Sequence, residues 1–134
     1  MNGWRLFTAP TIGIILHAVP SGHVFLADLE PADLERFLDR PLERFTVATL
    51  VDRDALRERI ARVRRDGSAW VRDEFADGIT SVAAGIADAS GEVIAAVHVH
   101  GPSYRFPRPG AEPEVTREVV LAAGRIAARL REDA

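Results

Sequence analysis

AWVRDEFADGITSVAAGIADASGEVIAAVHVHGP, residues 69–102, is the stretch that decides the fold. Three β-prone runs, Trp70–Phe75, Ile79–Ala87 and Val93–His100, are separated by Asp77-Gly78 and by Asp88-Ala89-Ser90-Gly91. Short runs punctuated by such turn residues predict a meander of three antiparallel strands. The last two runs are apolar at nearly every position, which requires both faces of the sheet to be covered. Side chains at i and i+2 share a face of a strand, so His98 and His100 are expected to lie with Ile94 and Ala96. The opposite set, Val93, Ala95, Val97 and Val99, is wholly apolar and is expected to take the helices. What stands beside the histidines depends on the hairpin. A three-residue loop at Ala89-Ser90-Gly91 sets Thr80 and Val82 there, whereas a two-residue loop sets Ile79 and Ser81 there; Gly91 suits the longer turn with its bulge.

Upstream of this sheet, Asp52 is placed to cap a helix over Arg53–Asp66 that carries Leu56, Ile60 and Val63 on one face and ends at Gly67. Arg53, Arg57 and Arg64 alternate with Asp54, Glu58 and Asp66, the pattern of a solvated helix face and not of a nucleic-acid surface. The prolines of residues 107–113 predict a loop. After it, a closing helix over Glu114–Arg131 aligns Val115, Val119, Ala122, Ile126 and Leu130 in a stripe suited to one sheet face. Nearer the start, Trp4–Thr8 reads as a strand, Gly13–Ala18 as an extended segment and Pro20–Ala27 as a short helix. Pro31 sits at the first position of another short helix reaching Leu38. The class is α+β with an antiparallel sheet.

A chain of 134 residues is enough for one domain with a substantial core. Its 47% hydrophobic and 28% charged residues are those of an ordinary globular protein. No apolar run approaches the ~20 residues of a membrane-spanning helix. Met1–Arg5 lacks a basic region followed by an apolar one, so a cytoplasmic location and no membrane partner are expected. The absence of cysteine removes disulfides, thiolate nucleophiles and Cys-ligated zinc. A net charge of −3 argues against a grip on a nucleic-acid backbone by this segment. No phosphate loop is present, and Ser81, Ser90 and Ser103 lack an elbow-type glycine setting. Asp73 and Glu74, adjacent in the expected first strand, face opposite sides of it. The chain is therefore not read as an enzyme. Trp4 and Trp70 are read as core or interface residues, with stacking on an aromatic ligand as the alternative.

Two segments carry a resemblance, GIILHAVPSGHVFLADLEPADLERFL and DRDALRERIARVRRDGSAWVRDEFADGITSVAAGIADASGEVIAAVHVHGPSYRF. Their ordered features are Leu16-His17-Ala18, the Ser21-Gly22 turn into a helix, the Arg-rich helix ending at Gly67, Asp73-Glu74, Gly78 with Val82-Ala83-Ala84, and Gly101-Pro102. Together they resemble the effector-binding domain of the IclR family of bacterial transcriptional regulators, from about Arg5 to Leu130. The resemblance implies a GAF-like antiparallel sheet with helices packed on one side and a small-molecule pocket on the other. It implies a single domain over residues 1–134, N-terminally truncated against the family pattern, as a fragment, a misassigned start or a standalone paralogue. DNA contact would belong to a winged helix-turn-helix domain that this chain lacks, and the implied partners are a small-molecule effector and further copies in a homodimer or homotetramer. Carried onto this sequence, the pocket residues are Pro20, Ser21, Gly22, Ile79, Ser81, His98 and His100. The two histidines stand where small hydroxyl residues are usual, and Val71 stands where an acidic residue is frequent.

The chemistry of His98-Val99-His100 admits several occupants. Two imidazoles donate and accept hydrogen bonds when neutral and attract a carboxylate when protonated, which points to a small anionic metabolite. The same pair supplies two positions of a zinc site, with His17 or His23 as a third ligand and Asp73 or Glu74 as further donors. The metal candidates are thus His17, His98 and His100, with no cofactor required by the primary reading; the alternative is a metal-binding protein or small enzyme that uses the His-lined pocket on the same scaffold. A structural role remains the plain alternative, above all for His17, where a histidine at a segment end serves to satisfy backbone carbonyls.

Overall fold

A computed structural model describes residues 15–133 of the chain. The expected strand Trp4–Thr8 and the first part of the expected extended segment lie outside the described residues. The elements are α1 (Pro20–Ala27), α2 (Pro31–Leu38), α3 (Arg53–Asp66), β1 (Ser68–Arg72), β2 (Ile79–Ala87), β3 (Val93–Pro102) and α4 (Glu112–Glu132). The strands form an antiparallel sheet in the order β1-β2-β3.

The sequence signals that punctuate the chain act as expected at α3. Asp52 Oδ1 accepts from the amides of Asp54 and Ala55 at 2.8 and 3.1 Å, and the helix stops at Gly67. Elsewhere local chemistry moves the boundaries. Residues 16–18 are a turn and not extended, closed by the Ala18 amide on the Ile15 carbonyl at 2.9 Å. That reversal buries Leu16, His17 and Ala18 together, which an extended segment with alternating faces would not do. β1 ends at Arg72 rather than Phe75 because Asp73 takes a left-handed φ of 58°. Its Oδ1 accepts from the Gly78 amide at 2.9 Å and from the Ser103 hydroxyl at 2.5 Å. Asp73 and Glu74 consequently lie in a loop and not on opposite faces of a strand. α4 begins at Glu112, with Pro113 in its first turn rather than in the preceding loop, since the missing amide would be unpaired there anyway.

α4 covers the face formed by Val82, Ala84 and Ile86 of β2 and Ala95 and Val97 of β3, as the apolar set in β3 predicted. The helix turns Val115 and Val119 of the expected stripe inward but departs from it further along. Val119, Ala123 and Ala127 are buried, while Ile126 and Leu130 are each 43% exposed. The small alanines let the helix axis approach the sheet closely. Trp70 joins this core, beside Phe106 and donating its indole N–H to the Thr116 hydroxyl at 2.8 Å. The other face carries Ala69, Ala83, Ala96 and Val93 and packs against α1, α2 and α3 through Val24, Phe37, Leu56 and Ile60. Among the described residues both faces are thus largely covered, and the end of the sheet beyond α1 is open.

Register places the histidines at that end. The hairpin has the three-residue turn that Gly91 predicted, with φ of 87° at Gly91 and the Asp88 amide bonded to the Glu92 carbonyl at 2.8 Å. By itself this turn would set Thr80 and Val82 beside the histidines. A second irregularity intervenes: Ile86 pairs with Ala95 and Ala87 with Val93, so that Ile94 has no partner. One extra residue reverses the alternation of faces. Val93 therefore points to the α1 side and not with Ala95, Val97 and Val99, and Ile94 is 50% exposed. His100 comes to stand beside Ser81 and His98 beside Ala83, on the face away from α4.

Candidate functional site

A cavity of about 380 Å³ opens at this end of the sheet. Its floor is Val71 of β1, Ile79 and Ser81 of β2, and His98 and His100 of β3. One wall is Ala18, Val19 and Pro20, the turn that leads into α1; the other is Phe75 and Ala76 of the β1–β2 loop. Pro20 is buried at the first helical position, where proline is preorganised. Of the residues expected to line a pocket, the fold gathers Pro20, Ile79, Ser81, His98 and His100. Ser21 and Gly22 lie outside it. Gly22 has a packing task instead: a Cβ there would sit 2.6–2.7 Å from the Leu16 Cα and carbonyl carbon, so only glycine permits the preceding turn to close on α1.

The loop wall is held from behind. Thr46 donates its hydroxyl to the Asp73 carbonyl and Thr49 donates to the Glu74 carbonyl, both at 2.6 Å. The buried Glu74 carboxylate accepts two bonds from Arg59 at 2.7 and 2.8 Å, tying the loop to α3. Phe75 crosses Phe45 edge-on at 5.0 Å between centroids, and Phe45 rests on His17 at 5.8 Å. These clamps keep an apolar ring at the cavity mouth, where Phe75 remains 43% and Ile79 40% exposed.

The rings of His98 and His100 meet edge-to-face with centroids 5.3 Å apart. They are the titratable groups among the residues that line the cavity. Partial burial, and secondarily the positive charge of His100, depress the pKa of His98 below the ordinary imidazole value. An anion held between the two rings would relieve that repulsion. Neither His17 nor His23 joins them. His17 Nε2 donates to the Glu43 carbonyl at 2.7 Å and His23 Nε2 to the His17 carbonyl at 2.8 Å, both rings buried. The backbone role expected as the plain alternative for His17 is the one its geometry shows. With Asp73 and Glu74 committed to Gly78, Ser103 and Arg59, no group of three His, Asp or Glu able to hold a metal exists among the described residues.

A larger open concavity, about 1010 Å³, runs along the β1 edge between α3 and α4. Its charges largely answer one another: Arg59 pairs with Glu74 at 2.7 Å and Arg72 lies 4.0 Å from Glu112. Such a surface offers no converging set of unpaired groups, and the smaller cavity is the better site despite its size.

Residues 12–128 match the family described as bacterial transcriptional regulator IclR, C-terminal. The chain belongs to that family. Among curated proteins, this IclR-type domain is 40% identical over 103 residues to the HTH-type transcriptional regulator BhcR of Paracoccus denitrificans, covering 76% of this chain and 37% of that protein. It is 36% identical over 92 residues to the transcriptional repressor IclR of Escherichia coli, covering 68% of this chain and 34% of that protein. The chain thus spans about a third of the length of these relatives. Among solved structures, the C-terminal domain of the E. coli regulator KdgR superposes with a TM-score of 0.77 at 26% identity, over 86% of this chain and 70% of that one. The α+β class with an antiparallel sheet is the fold these domains share.

Within this IclR-type domain, the cavity residues that sequence reasoning did not single out are Ala18, Val19, Phe75 and Ala76. None carries a polar signature. The sequence pattern places Phe75 in a strand; its place at the cavity mouth follows from the left-handed Asp73 that ends β1 early.

Proposed function

We propose that this chain is the effector-binding part of an IclR-type transcriptional regulator and that the cavity under His98 and His100 receives a small anionic metabolite. One observation carries the reading: a mostly apolar, preformed hollow in which two imidazoles and the Ser81 side chain converge, the usual constitution of a small-molecule site. The ligand-contacting residues are Pro20, Ile79, Ser81, His98 and His100, with Val19 and Phe75 as apolar walls. The role is recognition rather than catalysis: Ser81 stands beside His100, but among the described lining residues no carboxylate is present to orient either imidazole as a base for it. Among the described residues no helix is long and apolar enough to cross a membrane, which fits a regulator working in the cytoplasm. DNA contact belongs to a winged-helix segment outside this sequence. The domain works as a homodimer or homotetramer, and the effector acts by binding one assembly state more tightly than another.

Thermal melting with a panel of small carboxylates tests the reading. A true effector raises the melting temperature of the wild type, and the His98→Ala/His100→Ala double variant loses that rise. A rise that survives the double substitution unchanged would place the effector elsewhere.

A further inference from the structure

Resting on that assignment of the cavity, we infer that an anion with an apolar body is taken up here together with a proton onto the His98–His100 pair, so that the domain reads anion and acidity jointly. The walls dictate the skeleton. Val19, Val71, Phe75 and Ile79 offer hydrocarbon, and the exposure of Phe75 and Ile79 at the mouth leaves apolar surface for an occupant to cover. A volume of about 380 Å³ is at the small end of ligand pockets, which run from about 300 to 1,000 Å³. One ring or one branched chain suits it. A second charged group, or a row of hydroxyls as in a sugar acid, would meet these walls with its hydrogen bonds unmade, a desolvation cost no partner offsets.

The floor dictates the head group. Among the described residues no arginine or lysine lines the cavity, and the imidazole pair is the group there that can answer an anion's charge. The surrounding elements add no rival: the turn before α1 presents Ala18, Val19 and Pro20, β1 presents Val71, and β2 presents Ile79 and Ser81. The β1–β2 loop presents Phe75 and Ala76, while the Asp73 carboxylate is turned to Gly78 and Ser103 and that of Glu74 to Arg59. Among the described residues, the titratable groups at the hollow are the two imidazoles, with ring centroids 5.3 Å apart. Near neutral pH an imidazole is mostly uncharged, so binding a carboxylate there draws a proton from solvent. The sensor therefore reads acidity and anion jointly, a property that two hydroxyl residues in these positions would not confer.

Calorimetric titration of the domain with benzoate, benzyl alcohol and succinate, with EDTA present, at pH 6 and pH 8 decides the matter. Benzoate is expected to bind at pH 6 and to lose at least tenfold in affinity by pH 8. Repeating the titration at about pH 7 in two buffers of different ionisation enthalpy should show net proton uptake as benzoate binds. Benzyl alcohol, the same body without charge, should bind weakly with no pH dependence, and succinate at least tenfold more weakly than benzoate. In the His98→Gln/His100→Gln variant the pH dependence of benzoate binding should vanish. Equal benzoate affinity at both pH values, or succinate binding as well as benzoate, overturns the inference while leaving the cavity as an effector site. If benzoate fails to bind but polar carboxylates bind in a His98- and His100-dependent way, the inference likewise falls alone. If no carboxylate binds in that way, both it and the effector reading fall.

Discussion

Acidification should destabilise this domain through one buried histidine that does not line the cavity. His23, in α1, is fully buried, its Nε2 bonded to the His17 carbonyl and its Nδ1 without a partner among the described residues. Burial is the largest influence on it and disfavours the charged ring, with smaller contributions from Arg59 and His17, so its pKa falls from 6.5 to about 4. The unfolded chain then binds more protons than the folded one between those values. Stability conferred by the neutral ring is complete above pH 6.5 and drains away as pH falls towards 4. At ~1.4 kcal/mol per tenfold change in proton affinity, the full loss is about 3 kcal/mol, of which about 1.4 kcal/mol is gone by pH 5.5. Urea unfolding at pH 7.5 and 5.5 measures this directly. The His23→Gln variant keeps a donor near the His17 carbonyl but does not titrate, so its stability should change by about 1.4 kcal/mol less than the wild type over the same interval. A histidine NMR titration of the wild type supplies a second readout that survives even if the variant folds poorly: the ring should stay neutral at pH 5.5. Parallel pH profiles for the two proteins, or a ring that protonates near 6.5, would refute the reasoning.

Other perturbations test the construction of the site. Deleting Ile94 removes the one unpaired residue between the Ala87–Val93 and Ile86–Ala95 pairs and makes the hairpin regular, so His98 and His100 should stay beside Ala83 and Ser81; a carboxylate-induced rise in melting temperature should survive the deletion, and its loss would show that the unpaired residue itself shapes the cavity. Gly22→Ala forces a Cβ against the Leu16 backbone and should cost about 2 kcal/mol or more, seen as a lowered urea midpoint without a change in slope. Asp52→Ala leaves the first amides of α3 without their cap and should cost about 1 kcal/mol in the same assay, with little effect on ligand binding.

How far the sequence could be read depended on the range of the interaction that set each feature. Asp52, Gly67, Pro31 and Gly91 act on their own neighbours, and the elements they bound stand where their chemistry put them. The face of α4 was harder, because Ile126 and Leu130 compete with Ala123 and Ala127 for the sheet and only close packing favours the alanines. The site depended on a fact invisible in periodicity. Alternation put His98 and His100 on one face, and that held; what stands beside them turned on an unpaired Ile94 whose residue type gives no signal of a bulge. The end of β1 likewise turned on Asp73 being drawn into a left-handed conformation by Gly78 and by Ser103, thirty residues further along the chain. Gly22 shows the converse: the contact that demands glycine there is the Leu16 backbone six residues back, which the resemblance does not reveal.

The central claim is that ligand enters the hollow between the α1 turn, the β1–β2 loop and the imidazole pair. Backbone amide shift mapping of the isotope-labelled domain against benzoate at pH 6 tests it residue by residue. The account predicts perturbations concentrated at Ala18–Val19, Phe75–Ile79 and His98–His100. Perturbations confined to Arg59, Arg62, Arg72 and Thr116 along the β1 edge, with the histidines silent, would contradict it.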